Sequence, residues 1–226
     1  FPDIEQQTAA TKRYVADVIQ YWLTEFRIDA IRYDATRFTG WSGYNDWGAG
    51  WYAYVGRQTD PTSLHIAEHM PYDPALINQT EMDTTWHDYF RWRLRDMIQG
   101  SYLEKNEFEN ILDPVRLGFT NGLQRMSYTE SHDEERVMWD LKQRGIAAPE
   151  RINRCILALA ITLTSPGTAM IYSGQEFGEY TRKVVGANPL QWHLLGSAAG
   201  RQIYDAAQKL TQLRTSNLAL RRGSIH

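Results

Sequence analysis

Arg32 and Asp34 stand two residues apart in Ile28-Asp29-Ala30-Ile31-Arg32-Tyr33-Asp34-Ala35, where small and branched apolar residues lie between polar ones. In a strand, residues two apart point to the same face, so the guanidinium and the carboxylate emerge together. A guanidinium so close keeps a carboxylate ionised, and an ionised, positioned carboxylate at a strand's end can act as a nucleophile. The same pair serves equally well as a buried structural ion pair, and this stretch alone does not choose between them. Two further carboxylates hold comparable positions. Ser63-Leu64-His65-Ile66-Ala67-Glu68 reads as a strand ending in Glu68, where Ile66 and Ala67 give the partly desolvated setting a general acid requires. Leu123 to Thr129 reads as another, delivering Glu130-Ser131-His132-Asp133.

Three acids at three strand ends suit one kind of chemistry. Cleavage of a glycosidic bond with retention needs one carboxylate as nucleophile and a second as acid and then base, about 5 Å apart. Asp34 fits the first role and Glu68 the second. Asp133, next to His132, is suited to grip sugar hydroxyls and favour a distorted, positively charged transition state.

The elements that must position these acids alternate. Thr11 to Phe26 carries Val15, Val18, Ile19, Trp22, Leu23 and Phe26 at helical spacing. After the Asp34 strand, Trp41 to Gly50 is rich in Gly, Trp and Ser and reads as a loop, and Trp51 to Arg57 as a short helix. Asp60-Pro61-Thr62 marks a turn. Met70 to Asn78 is a Pro-punctuated loop, Met82 to Trp86 a short strand, and Asp88 to Ile98 a helix. A further helical piece lies near Phe108 to Leu117, broken at Pro114. Pro149-Glu150 opens a helix whose apolar face is Ile152, Cys155, Ile156, Leu159 and Leu163. Thr168 to Ser173 is a strand, and Arg201 to Leu213 the last helix. Strands that alternate with helices and end in polar residues are the pattern of parallel βα units. In a (β/α)8 barrel the strand ends are where reacting groups sit. No Gly-rich phosphate loop supports the rival, an open doubly wound sheet.

Composition narrows the partners. The 226 residues carry 24 basic and 27 acidic side chains, a net charge of −3, which is too balanced to imply nucleic acid or an anionic membrane. A single cysteine, Cys155, excludes a disulfide framework or a cysteine metal cluster. No apolar run is long enough to span a bilayer. Phe1-Pro2-Asp3 begins neither a secretory signal nor an initiator Met, so any targeting segment is expected upstream and the compartment is not readable. The 8 Trp, 13 Tyr and 7 Phe suit sugar-stacking platforms or a large core alike.

Four motifs resemble one family. Tyr21-Trp22-Leu23-Thr24-Glu25-Phe26 running into Ile28 to Ala35 is similar to the strand-four region of the α-amylase family, glycoside hydrolase family 13. Ile66-Ala67-Glu68 resembles its strand-five acid, and Tyr128-Thr129-Glu130-Ser131-His132-Asp133 its strand-seven motif. Met170-Ile171-Tyr172-Ser173-Gly174-Gln175-Glu176-Phe177-Gly178 resembles its strand-eight segment. The order and intervals agree over nearly the whole chain. The resemblance implies an α/β fold, the C-terminal part of a (β/α)8 TIM barrel (strands four to eight). Residues 1–216 would be partial barrel and 217–226 the start of a C-terminal β-domain. It implies that Asp34 forms the covalent glycosyl intermediate, Glu68 is the acid/base and Asp133 the transition-state stabiliser, with Arg32 orienting Asp34. His132, Arg37 and His69 would contact an α-glucan or maltooligosaccharide.

The chain also departs from the family. An Asp and a paired Asn-His after strand three have no counterpart here, so strands one to three and the small inserted domain are missing from this sequence. A second chain or a missing segment is expected to complete the barrel, because unpaired sheet edges are aggregation-prone. Arg37 and Phe38 stand where many α-amylases carry Lys-His, and Glu68-His69-Met70-Pro71 with Glu130-Ser131-His132-Asp133-Glu134 leans toward branching enzymes and trehalohydrolases. Calcium occurs in the family, but no metal or other cofactor is expected from these residues. The alternative reading is a non-catalytic glucan-binding or scaffolding fragment that keeps the acids by descent.

The bland roles are expected as follows. Asp29 and Glu176 are structural, and His65 is a satisfied core histidine. His69 and His87 either line a cleft or sit on exposed loops. Trp41, Trp47 and Trp51 stack on sugars or anchor their loop, and Glu134 and Glu135 are solvated or paired with Arg136.

Overall fold

A computed structural model describes residues 4–40 and 46–223. Trp41 and the Phe1-Pro2-Asp3 segment lie outside the described residues. The chain folds as two compact units, residues 1–88 with 114–125, and residues 89–113 with 126–226.

The first unit opens with α1 (Ala9–Glu25), capped by Thr8, whose hydroxyl accepts the Thr11 amide. Ile19 and Leu23 of its apolar face are buried, while Val18, Trp22 and Phe26 remain partly exposed. Then come β1 (Ala30–Tyr33), α2 (Thr36–Thr39), α3 (Gly48–Thr59), β2 (Leu64–Ala67), α4 (Pro74–Gln79) and β3 (Thr84–Trp86). β1 pairs with β2 and β2 with β3, both parallel. Parallel neighbours require crossovers, and here the intervening helices provide them. Ile19, Leu23, Tyr33, Ala53, Leu76 and Phe119 belong to one buried cluster.

Two stretches read as loops are partly helical. At Gly48 a Cβ would lie 2.1 Å from the Gly40 carbonyl oxygen, so glycine there permits close packing at the start of α3. Pro74 sits in the first turn of α4, and the Asp73 carboxylate accepts the Ala75 amide, a start signal within the Pro-punctuated stretch.

His65 is the satisfied core histidine expected. Ser63 donates its hydroxyl to the Asp60 carbonyl, so at 3.1 Å it can only accept from His65 Nε2, leaving Nδ1 to accept from Tyr33 at 2.9 Å. His69 and His87 correct the exposed-loop alternative: both are buried, and the His87 ring packs at a tilt against Tyr72, centroids 4.3 Å apart. Burial lowers the pKa of all three, His65 to about 4, with Arg57 adding to the effect there.

This has a pH consequence. The folded state keeps these imidazoles neutral while the unfolded chain takes up protons below about pH 6.5. Stability is therefore complete above that pH and falls as pH drops toward 4, by ~3 kcal/mol from His65 alone. Urea midpoints at about pH 7.5 and about pH 5 should show the loss, and equal midpoints would contradict it.

The second unit contains α5 (Asp88–Ile98), α6 (Lys105–Leu112), β4 (Arg125–Ser127), α7 (Val137–Gln143), α8 (Ala148–Thr164), β5 (Thr168–Ala169) and α9 (Ala198–Ser216). β4 and β5 are parallel. Pro149 lies in the first turn of α8, as the sequence indicated. Phe90, Leu94, Ile98, Leu141, Leu159 and Ile203 form the buried cluster, with Cys155 among them. β4 and β5 are shorter than expected. Beyond Ser127 the backbone leaves the ladder for side-chain partners, the Thr129 carbonyl accepting from Arg95 at 2.9 Å. After α9 comes a short 3-10 turn, Leu218–Arg221. No described helix is long and apolar enough to cross a membrane.

Candidate active site

The register sets the level of the first two acids. Tyr33 pairs with Ala67 and Ala67 with Thr85. The next residues, Asp34, Glu68 and Trp86, therefore leave three adjacent strand positions at one level. Arg32 joins them. Its Nη1 donates to Asp34 Oδ1 at 2.7 Å, its Nη2 lies 2.7 Å from Glu68 Oε2, and its guanidinium stacks 4.6 Å from the Trp86 ring centre. The approach to Glu68 is an ion pair in which the N–H direction misses the oxygen, so charge rather than a directed hydrogen bond carries it. One planar fork thus spans both carboxylates, a reach that a lysine point charge lacks.

The surroundings of the two acids differ. The Asp34 side chain is 76% exposed and that of Glu68 only 7%. Ala35 turns sharply with φ +47°, a left-handed conformation uncommon outside glycine, and its amide reaches Glu68 Oε2 at 3.0 Å. The Thr36 amide and hydroxyl both donate to the Glu68 carbonyl at 3.0 Å. That hydroxyl proton being used, the 3.1 Å contact between Thr36 Oγ1 and His69 makes His69 Nδ1 the donor. Arg37 is exposed, with one long bond to the Met70 carbonyl at 3.5 Å. Trp51 packs against Tyr54 at 5.6 Å beneath Lys12, an anchoring role.

The second unit holds Asp133 and His132. Asp133 Oδ2 lies 3.3 Å from His132 Nε2, and the Asp133 amide donates to Ser131 Oγ at 3.2 Å. Both side chains are about half exposed. Their segment is held from below by Arg95, which donates to the Thr129 and Glu135 carbonyls and pairs with Asp140. Of the two expectations for Glu134 and Glu135, solvation or pairing with Arg136, the pairing is not found. Arg136 pairs with Glu130 at 3.2 Å and covers the Tyr172 ring at 3.9 Å. Glu130 is the buried carboxylate and the more demanding partner, while Glu134 takes Arg91 at 2.7 Å and Glu135 lies 3.7 Å from Arg182. Burial raises the Glu130 carboxyl above its ordinary range, with Arg136 and the Val137 amide opposing. Glu176 accepts the Gly174 amide at 2.8 Å, the structural role expected of it.

So the structure brings Arg32, Asp34 and Glu68 together, with His69 bonded to neighbouring Thr36, and it brings Asp133 to His132. Among the described residues no group of three His, Cys, Asp or Glu side chains forms a metal site. Sequence reading missed two contributors. Lys183 donates to the Asp133 carbonyl at 2.5 Å. Glu179 accepts from the Tyr180 and Thr181 amides, the Thr181 hydroxyl and the Gln191 amide. Burial works to raise the Glu179 carboxyl, but these four donors together hold it below the usual range. Only the Gly-Gln-Glu-Phe-Gly-Glu turn signal hinted that this loop is pinned.

No family model matches the chain. It is 24% identical over 235 residues to Alpha-amylase 2 of Dictyoglomus thermophilum, an alignment covering 99% of this chain and 39% of that protein. It is 23% identical over 234 residues to the cyclomaltodextrin glucanotransferase of Geobacillus stearothermophilus, covering 98% and 29%. Among solved structures, the pullulanase of Anoxybacillus sp. LM18-11 complexed with maltotetraose superposes with a TM-score of 0.76 at 21% identity, over 94% of this chain and 34% of that one. That likeness shows the fold, part of a (β/α)8 barrel. The chain spans less than half the length of each of these proteins.

Proposed function

We propose that this chain, whose relatives are enzymes of the α-amylase family, carries the acidic machinery of a retaining α-glucan-active glycosidase or transglycosylase. The carrying observation is the single guanidinium of Arg32 in contact with both Asp34 and Glu68 at one strand level. In this reading Asp34 attacks the anomeric carbon, and the glycosidic C–O bond breaks as Glu68 gives its proton to the leaving oxygen. A glycosyl ester on Asp34 results. The Glu68 carboxylate then takes a proton from water or a sugar hydroxyl, which attacks the same carbon and frees Asp34. Water gives hydrolysis and a sugar hydroxyl gives transfer. Asp133, with His132, steadies the positive charge developing on the sugar. Arg37 and His69 contact the glucan.

An apolar groove of about 450 Å³ beside β1, lined by Val15, Ile19, Trp22, Ile28 and Ile31 among others, has a natural occupant in this reading. It accepts a further βα segment, from this protein or a second chain, that carries the sheet onward.

The test is maltotetraose cleavage followed by NMR of the first anomer released. The α-anomer is expected. The β-anomer would exclude retention, and glucan binding without any cleavage would favour the scaffolding alternative.

A further inference from the structure

We infer that Lys183 is a positioning residue for Asp133, delivered by the loop between Glu179 and Gln191. Its catalytic consequence rests on the glycosidase reading above. Among the described residues the Asp133 carboxylate meets two side chains: His132 at Oδ2, 3.3 Å away, and Lys183 at Oδ1, 4.0 Å away. The same ammonium donates to the Asp133 carbonyl at 2.5 Å, so one side chain grips both the main chain and the carboxylate of one residue. Asp133 needs such a hold. It lies six residues beyond the end of β4, past any ladder bond, and its side chain is 47% exposed. A half-exposed carboxylate on non-ladder backbone samples several rotamers unless partners select one.

Lys183 is itself fixed rather than trailing in solvent. Its amide donates to Glu135 Oε2 at 2.8 Å, and neighbouring Arg182 lies 3.7 Å from Glu135 Oε1. Glu179 clamps both ends of the loop by accepting amides from Tyr180, Thr181 and Gln191. The loop thus walls a cleft of about 230 Å³ whose lining includes His132, Arg136, Tyr172, Lys183 and Asn188. Lys183 reaches into this wall from fifty residues downstream of Asp133. A lysine that merely decorated the rim would not bond the Asp133 carbonyl.

The experiment compares wild type, Lys183→Met and Lys183→Arg by amide hydrogen exchange and by steady-state cleavage of maltotetraose. Lys183→Met should speed exchange at residues 132–135 about tenfold or more, since the local opening no longer has to break the Lys183 bond to the Asp133 carbonyl. It should lower kcat about 10- to 100-fold, the scale of a misplaced catalytic group, with KM within about twofold. Lys183→Arg should restore most of both. Unchanged exchange in Lys183→Met overturns the inference, as does faster exchange with unchanged kcat in an active enzyme. If wild type cleaves nothing, the glycosidase reading fails, and the exchange comparison alone decides whether Lys183 holds Asp133.

Discussion

Asp34→Ala is expected to lower maltotetraose turnover by about 10⁴-fold or more while leaving maltotetraose affinity within about threefold. The geometry makes this a clean experiment. The Asp34 side chain is mostly exposed, and its contact is Arg32, which keeps Glu68 as a partner when Asp34 is gone. No buried charge is orphaned and no cavity opens, so the thermal midpoint should stay near that of wild type. Turnover and stability are therefore separable at this position. Affinity persists because sugar rings are held mainly by stacking and hydroxyl contacts that alanine leaves alone. Wild-type turnover in Asp34→Ala would remove the nucleophile from the account.

The largest stability effect belongs to a different pair. Arg136→Leu should destabilise the chain by about 3–5 kcal/mol, because it leaves Glu130 buried without its paired counter-charge, with only the more distant field of Arg95 remaining. Both side chains are under a tenth exposed. The same substitution also strips the cation from the face of Tyr172. Combining it with Glu130→Gln should recover most of the loss: the amide carries no charge, and its oxygen still accepts the Val137 amide, now 2.9 Å away. Urea unfolding of the two singles and the double closes the cycle. A double mutant no more stable than Arg136→Leu would mean that packing, not the unpaired charge, dominates.

What was legible beforehand follows from which forces are local. Arg32 and Asp34 share a strand face by the period-2 rule, and Glu68 ends its own strand one βα unit later, so their partnership could be read from spacing. The strand and helix pattern carried the α/β class, and motif order suggested the barrel part that the fold comparison shows. Partner choice over long separations was not legible. Arg136 stands next to Glu135 and near Glu134, yet burial of Glu130 decides the pairing, and no pattern in the sequence announces burial of that one acid. Lys183 was hidden for the same reason, since its tie to Asp133 exists only once the Glu179 clamp closes the loop. Gly48 to Gly50 misled because glycine marks both flexible turns and close backbone approach, and only the 2.1 Å clearance to Gly40 tells them apart. His69 and His87 could not be placed because polar side chains are read as surface unless partners are known, and Thr36 and Tyr72 became visible as their partners only in three dimensions.

One measurement addresses the nucleophile directly. The protein is incubated with a deoxyfluoro α-glucosyl fluoride, whose glycosyl–enzyme ester turns over slowly, then digested and sequenced by mass spectrometry. A single sugar adduct on the peptide containing Asp34, absent from Asp34→Ala, is the result the account requires. An adduct on any other residue, or sugar release from the natural substrate with no adduct formed at all, would contradict it.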